Sequence, residues 1–112
     1  MSRKAKQEGG DSHAPPAWSF LTNHARVLLA IASDPSLTLR AIGDAVGITE
    51  RAAHRIVAEL AAAGYISRER LGRRNHYSVH TDRVLADPVA GAVSVGALLA
   101  ALRGADDPRL AP

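Results

Sequence analysis

The sequence predicts a mainly α-helical domain that carries one small β-hairpin and ends in a further helix. Three observations lead there. Between Thr22 and Leu60 apolar residues recur at three- and four-residue spacing, interrupted by Asp34-Pro35 and by Gly47, which marks three short amphipathic helices. Residues 65–80 instead alternate around Leu71-Gly72-Arg73-Arg74, the pattern of a hairpin. Pro88 to Leu102 then runs without a charge and is rich in Ala, Val and Leu, which reads as a buried fourth helix.

A chain of 112 residues allows one domain. Its apolar side chains are mostly Ala, Leu, Val and Ile, and its aromatics are Trp18, Phe20, Tyr65 and Tyr77, so a compact helical core is expected. There is no cysteine, which excludes a disulfide scaffold and a thiolate metal site and fits a reducing cytoplasm. The net charge is only +3, but its distribution is uneven. From Arg51 to His80 six arginines stand against two acids, Glu59 and Glu69. Such a segment suits a polyanion. It suits a membrane surface less, because its apolar residues are spaced for a core.

Residues 1–17 mix charge, Gly and Pro and read as a disordered tail. The domain is expected over 18–103. Thr22 caps the first helix, with Val27, Leu28, Ile31 and Ala32 on one face, and Asp34-Pro35 ends it. Trp18, Phe20 and Leu21 are expected to fold over the core, and Leu37 to sit in a very short strand. Thr38 caps a second helix, Leu39 to Val46, which Gly47 ends in a left-handed conformation. Thr49 caps a third helix that runs to Ala63 before Gly64. Its inner face is Ala53, Ile56, Val57 and Leu60; its outer face is Arg51, His54, Arg55 and Ala58. Strands Tyr65 to Arg70 and Asn75 to His80 follow, with Ile66, Tyr77 and Val79 turned inward. The fourth helix spans 88–102. Being apolar on most sides, it is expected to be buried by its own domain and by a partner, as the seam of a homodimer through Val89, Val93, Leu98, Leu99 and Leu102; the alternative is a helix that only closes the core of its own domain. Residues 104–112 read as a flexible tail.

Within the second and third helices, Ile42, Val46, Ile48, Ala53 and Ile56 fall where two crossing helices must touch. Gly43 falls where the crossing leaves no room for a side chain. That is the spacing of a helix-turn-helix. Residues 20–80, and above all ITERAAHRIVAELAAAGYISRERLGRRNHYSV, resemble the winged helix-turn-helix domain of MarR-like and ArsR-like regulators. The resemblance implies a duplex-DNA-binding transcriptional regulator. Its third helix would lie in the major groove and its wing would touch the minor groove or flanking phosphates.

Side-chain chemistry then assigns expected roles. Thr49 and the amides beside it suit a phosphate at the positive end of a helix. Arg51 suits a bidentate contact to guanine O6 and N7. His54 reaches a base or phosphate, and Arg55 a phosphate. Glu50 either accepts from cytosine N4 or simply favours the helix dipole. Arg73 and Arg74 suit a narrow minor groove, with Arg68, Arg70 and His76 lining the approach. Thr38, Arg40 and Asn75 complete the expected DNA-binding set.

Other chemistries are expected to be absent. His76 and His80, with Asp82 nearby, lie on or beside a strand, where four residues span about 13 Å, too far to share one zinc ion. Ser33, Ser67 and Ser78 have no base beside them, no phosphate-cradling glycine loop is present, and no enzyme activity or cofactor is expected. As a helix the uncharged run would be about 22 Å long, short of a membrane core. The polar start carries no secretory signal, so the expected location is the cytoplasm, at the nucleoid. The long flanking helices of full MarR-type dimers and the cysteines of metal-sensing ArsR-type proteins are missing, so no small-molecule effector is evident. The alternative function is a winged helix that binds proteins without binding DNA. The outer face of the third helix, cationic rather than apolar or acidic, speaks for DNA.

Overall fold

A computed structural model describes residues 17–104. The tails expected at 1–17 and 104–112 lie outside the described residues except for Ala17 and Gly104. The elements in chain order are α1 (Asn23–Ser33), α2 (Leu39–Val46), α3 (Glu50–Ala62), β1 (Ile66–Leu71), β2 (Arg74–Val79) and α4 (Val95–Leu102).

One device starts every helix. The hydroxyl oxygens of Thr22, Thr38, Thr49 and Ser94 accept from the backbone N–H three residues on, at 3.0–3.1 Å. Each such cap satisfies a donor that the helix leaves free and contributes about 1 kcal/mol. Three helix ends are closed by arginines from elsewhere in the chain. Arg103 donates to Ala32 O of α1 (3.5 Å), Arg26 to Val46 O of α2 (2.9 Å) and Arg83 to Ala63 O after α3 (3.0 Å). Cations there also meet the negative end of each helix dipole.

The core draws on every element. Val27, Leu28 and Ile31 of α1 meet Ile42 and Val46 of α2 and Ala53, Ile56, Val57 and Leu60 of α3. Ile66 and Tyr77 close it from the hairpin, and Val95 and Leu99 from α4. These are the apolar faces that the periodicity marks, and Ile48 packs against them from the turn.

The hairpin is antiparallel, in register from Ile66 opposite Val79 to Leu71 opposite Arg74. Its strands reach one residue nearer the tip than the sequence suggests. Only Gly72 and Arg73 form the turn, because Gly72 adopts a φ of 64° and permits a two-residue reversal. Leu37 forms no strand. The segment before it instead supplies one contact, the Tyr77 N–H donating to Pro35 O at 2.9 Å along the outer edge of β2.

Two expectations are corrected. Trp18 and Phe20 do not cover the core. They stack edge-to-face on each other at 4.9 Å and remain 60% and 90% exposed. The fourth helix does not span 88–102. Asp87 Oδ1 accepts from the N–H groups of Val89 (2.8 Å) and Ala90 (3.0 Å), which makes a turn. Gly91 follows at a φ of 72°, outside any helix, and Ser94 pairs with Val84 before capping α4. Val89 (93% exposed) and Val93 therefore stand off the helix, and Leu99 faces its own core. Of the expected seam, α4 leaves Leu102 38% exposed, while Leu98, half-buried, lines a pocket beside Leu28 and Leu60 of the core.

The phenol of Tyr77 is buried, and its hydroxyl has no hydrogen-bond partner among the described residues. A lone buried hydroxyl costs about 1–3 kcal/mol. Tyr77→Phe removes it without changing the packing, so the variant should melt at or above the wild-type temperature. A fall of several degrees would show that the hydroxyl has a partner.

Candidate nucleic-acid interface

The sequence places the first turns of α2 and α3 side by side, because each starts at a capping threonine and the turn between them is only Gly47-Ile48-Thr49. The wing tip folds back toward them. Thr38 and Arg40 of α2, Glu50 of α3, and Arg73, Arg74 and Asn75 of the wing line one open cleft of about 460 Å³. Six residues from three separate stretches of the expected set are thus brought together.

Asp34 also lines this cleft. The Ser36 hydroxyl donates to its Oδ1 at 2.8 Å and the Ser36 N–H at 3.1 Å. Those bonds hold its carboxyl below the usual aspartate range, and the charge of Arg74 adds to the effect. The cleft is therefore of mixed charge, with an ionised acid beside the wing arginines.

On α3, Arg51, His54 and Arg55 are exposed, opposite the buried face of Ala53, Ile56, Val57 and Leu60. Ala58 is exposed and Ala52 half-exposed between them. The helix thus presents two arginines and a histidine with little bulk around them. The Thr49 hydroxyl uses its oxygen to cap Ala52 N, leaving its own hydrogen free to donate.

The sequence model of the MarR family matches residues 19–74, half of the chain. The chain belongs to the MarR family. The match takes in α1, α2, α3, β1 and the wing tip as far as Arg74, and the four helices with the antiparallel hairpin make a winged helix fold. The family is one of transcription regulators. A solved structure of a MarR family transcription regulator is similar at 23% identity and a TM-score of 0.48, covering 78% of this chain and 54% of that one. The chain thus spans about half the length of that protein. No curated protein matches it.

In this MarR family domain the wing divides its basic residues between two faces. Arg68 and Arg70 stand opposite Tyr77 and Asn75, whereas Arg74 and His76 stand opposite Leu71 and Glu69. Strand alternation thus separates His76 from Arg68 and Arg70, although the sequence groups them. His80 anchors the base of the wing: its Nδ1 lies 2.8 Å from Gly64 O and its Nε2 2.6 Å from Ser67 Oγ. Both ring nitrogens are engaged: the carbonyl can only accept, so Nδ1 donates to it, and Nε2 shares a hydrogen bond with the serine hydroxyl. Among the described residues no three His, Cys, Asp or Glu side chains are grouped to hold a metal ion. No helix among them is long and apolar enough to cross a membrane.

Two residues beside the interface carry no expected role in the sequence. Leu71 is an exposed apolar side chain at the wing tip. Glu59 lies on the flank of α3, where Arg55 Nη1 approaches its two oxygens at 3.3 and 3.5 Å and His24 Nε2 its Oε1 at 2.6 Å. The hydrogen bond from His24 holds the Glu59 carboxyl below its ordinary range, and Arg55 adds to this. The Arg55–Glu59 spacing of four residues was a readable signal. The contact with His24, thirty-five residues away, was not.

Proposed function

We propose that this MarR family protein binds duplex DNA sequence-specifically as a transcription regulator, acting in the cytoplasm at the nucleoid. The observation that carries the reading is the convergence of the wing tip with the first turns of α2 and α3, next to the cationic outer stripe of α3. An α-helix about 10–12 Å across fits the B-form major groove, about 12 Å wide. With α3 in that groove, Arg51 reads guanine and His54 a neighbouring base or phosphate. Glu50 accepts from cytosine N4. Thr38, Arg40, Thr49 and Asn75 hold the phosphates that flank the groove, and Arg73 and Arg74 follow the backbone into the minor groove. Arg68, Arg70 and His76 add positive or polar surface along the two wing faces.

One reading helix covers only a few base pairs. A two-fold homodimer doubles the site, with half-sites about 34 Å apart. Leu98 and Leu102 of α4, with Val89 and Val93 before it, form the proposed contact. Leu99 is not part of it, because it is used within its own domain.

Selecting bound duplexes from a random pool tests this reading. A single motif, palindromic if two copies bind, is the expected result. Arg51→Ala should then lose preference at one base position, costing about 1–3 kcal/mol there. Retention of no duplex even at low salt would overturn DNA binding and leave a protein-binding module.

A further inference from the structure

Arg55 and Glu59 sit one turn apart on α3, and Glu59 also reaches His24 of α1. Arg55 pairs with Glu59 and the His24 ring hydrogen-bonds the same carboxylate, so one carboxylate serves two partners. His24 is the second residue of α1, whose Val27 and Leu28 are buried in the core. The imidazole therefore holds Glu59 from a rigid support, at 2.6 Å. So fixed, both carboxylate oxygens lie within 3.5 Å of the Arg55 guanidinium. An ionised carboxylate there offers the guanidinium the same kind of anionic oxygen that a phosphate would, at a longer separation than the about 2.7–2.9 Å of a full charge-assisted bond.

Resting on the duplex-DNA reading, we propose that Glu59, steadied by His24, is an intramolecular phosphate mimic that Arg55 must release before it can bind the DNA backbone. Glu59 is thus a positioning residue for Arg55, and it works against binding. The second turn of α3 contributes little to sequence-independent affinity while this pair is intact. Attachment then depends more on the wing and on the first turn of α3, where Arg51 reads a base. An exposed pair of this kind is weak, so the effect is a moderate bias and not a block.

The test is a four-protein cycle read by fluorescence anisotropy on a random-sequence duplex over a series of salt concentrations. The proteins are wild type, Glu59→Gln, Arg55→Ala and the double variant, and both side chains are about half exposed or more, so the fold should survive. Glu59→Gln should tighten binding roughly threefold at about 0.1 M salt. It should also steepen the salt dependence by about 0.9, the mark of one more phosphate neutralised by the protein. Arg55→Ala alone should change the slope little, and in its background the Glu59→Gln gain should largely vanish. An equal gain in both backgrounds would show a general charge effect and overturn the proposal, as would no gain at all. Failure of all four proteins to bind would instead overturn the DNA reading itself.

Discussion

Gly43→Val should be the most damaging single substitution in the helix pair. A Cβ at Gly43 would lie 2.7 Å from Ile48 O and 3.3 Å from the Thr49 carbonyl carbon and oxygen. These are backbone atoms of the turn into α3, so no side chain can swing aside. The turn is also tied to this position, since the N–H groups of Gly47 and Ile48 both donate to Gly43 O, at 2.8 and 2.9 Å. Relief would require α3 to back away from α2 and break those bonds. Two effects compete. Alanine at a helical position gains about 1 kcal/mol over glycine, whereas overpacking costs about 1–3 kcal/mol. Gly43→Ala should therefore lose up to about 2 kcal/mol. Valine gains less in helix propensity and adds two methyl groups at the same contact, so its loss should be about 3 kcal/mol or more. For a domain of this size each kcal/mol moves the melting temperature by about 4–8 °C. Urea and thermal unfolding would show it. A valine variant with the wild-type midpoint would mean that the two helices do not cross at Gly43. The same displacement moves the first turn of α3, so any surviving Gly43→Ala protein should bind duplex DNA more weakly.

The sequence made this crossing legible because its signals are local. Thr38, Gly43, Gly47 and Thr49 each impose one backbone requirement, and all four agree with the apolar spacing on either side. The wing was legible to within one residue, since the alternation marks a strand but does not say how few residues the turn needs. The region before α4 was misread for a different reason. Ala, Val, Leu and Gly between 88 and 102 can be laid out as helical stripes on nearly any side, so the spacing fits a helix without requiring one. Asp87 and Gly91 held the better evidence, the first accepting two backbone N–H groups and the second taking a positive φ. At the site, counting arginines identified the cationic stretch but could not sort it. Arg55 is held by Glu59, Arg68 and Arg70 lie on the other wing face from Arg74, and only the folded chain separates these from Arg73 and Arg74 at the cleft.

The wing-tip arginines offer the larger functional test. Arg73 and Arg74 are exposed, and the hairpin end that carries them is held by the ladder of β1 and β2 rather than by their side chains. Removing both as Arg73→Ala with Arg74→Ala should leave the melting temperature nearly unchanged. Duplex binding should nevertheless weaken by about tenfold or more at about 0.1 M salt, with the salt slope reduced by about 0.9 for each phosphate that the protein no longer neutralises. The loss should be nearly uniform over sequences, unlike that of Arg51→Ala, because backbone contacts position a protein without naming bases. One exception is expected. If the tip enters the minor groove, duplexes with A-tracts at the flank should bind wild type more tightly, since the narrow groove there concentrates negative potential. The double variant should lose that flank preference. Asp34 gives an internal check, because it lies in the same cleft and Arg74 helps keep it ionised. Asp34→Asn takes an anion away from the path of the phosphates and should strengthen binding only while Arg74 is present. A double variant with the wild-type salt slope would detach the wing from the duplex and leave α3 to bind alone.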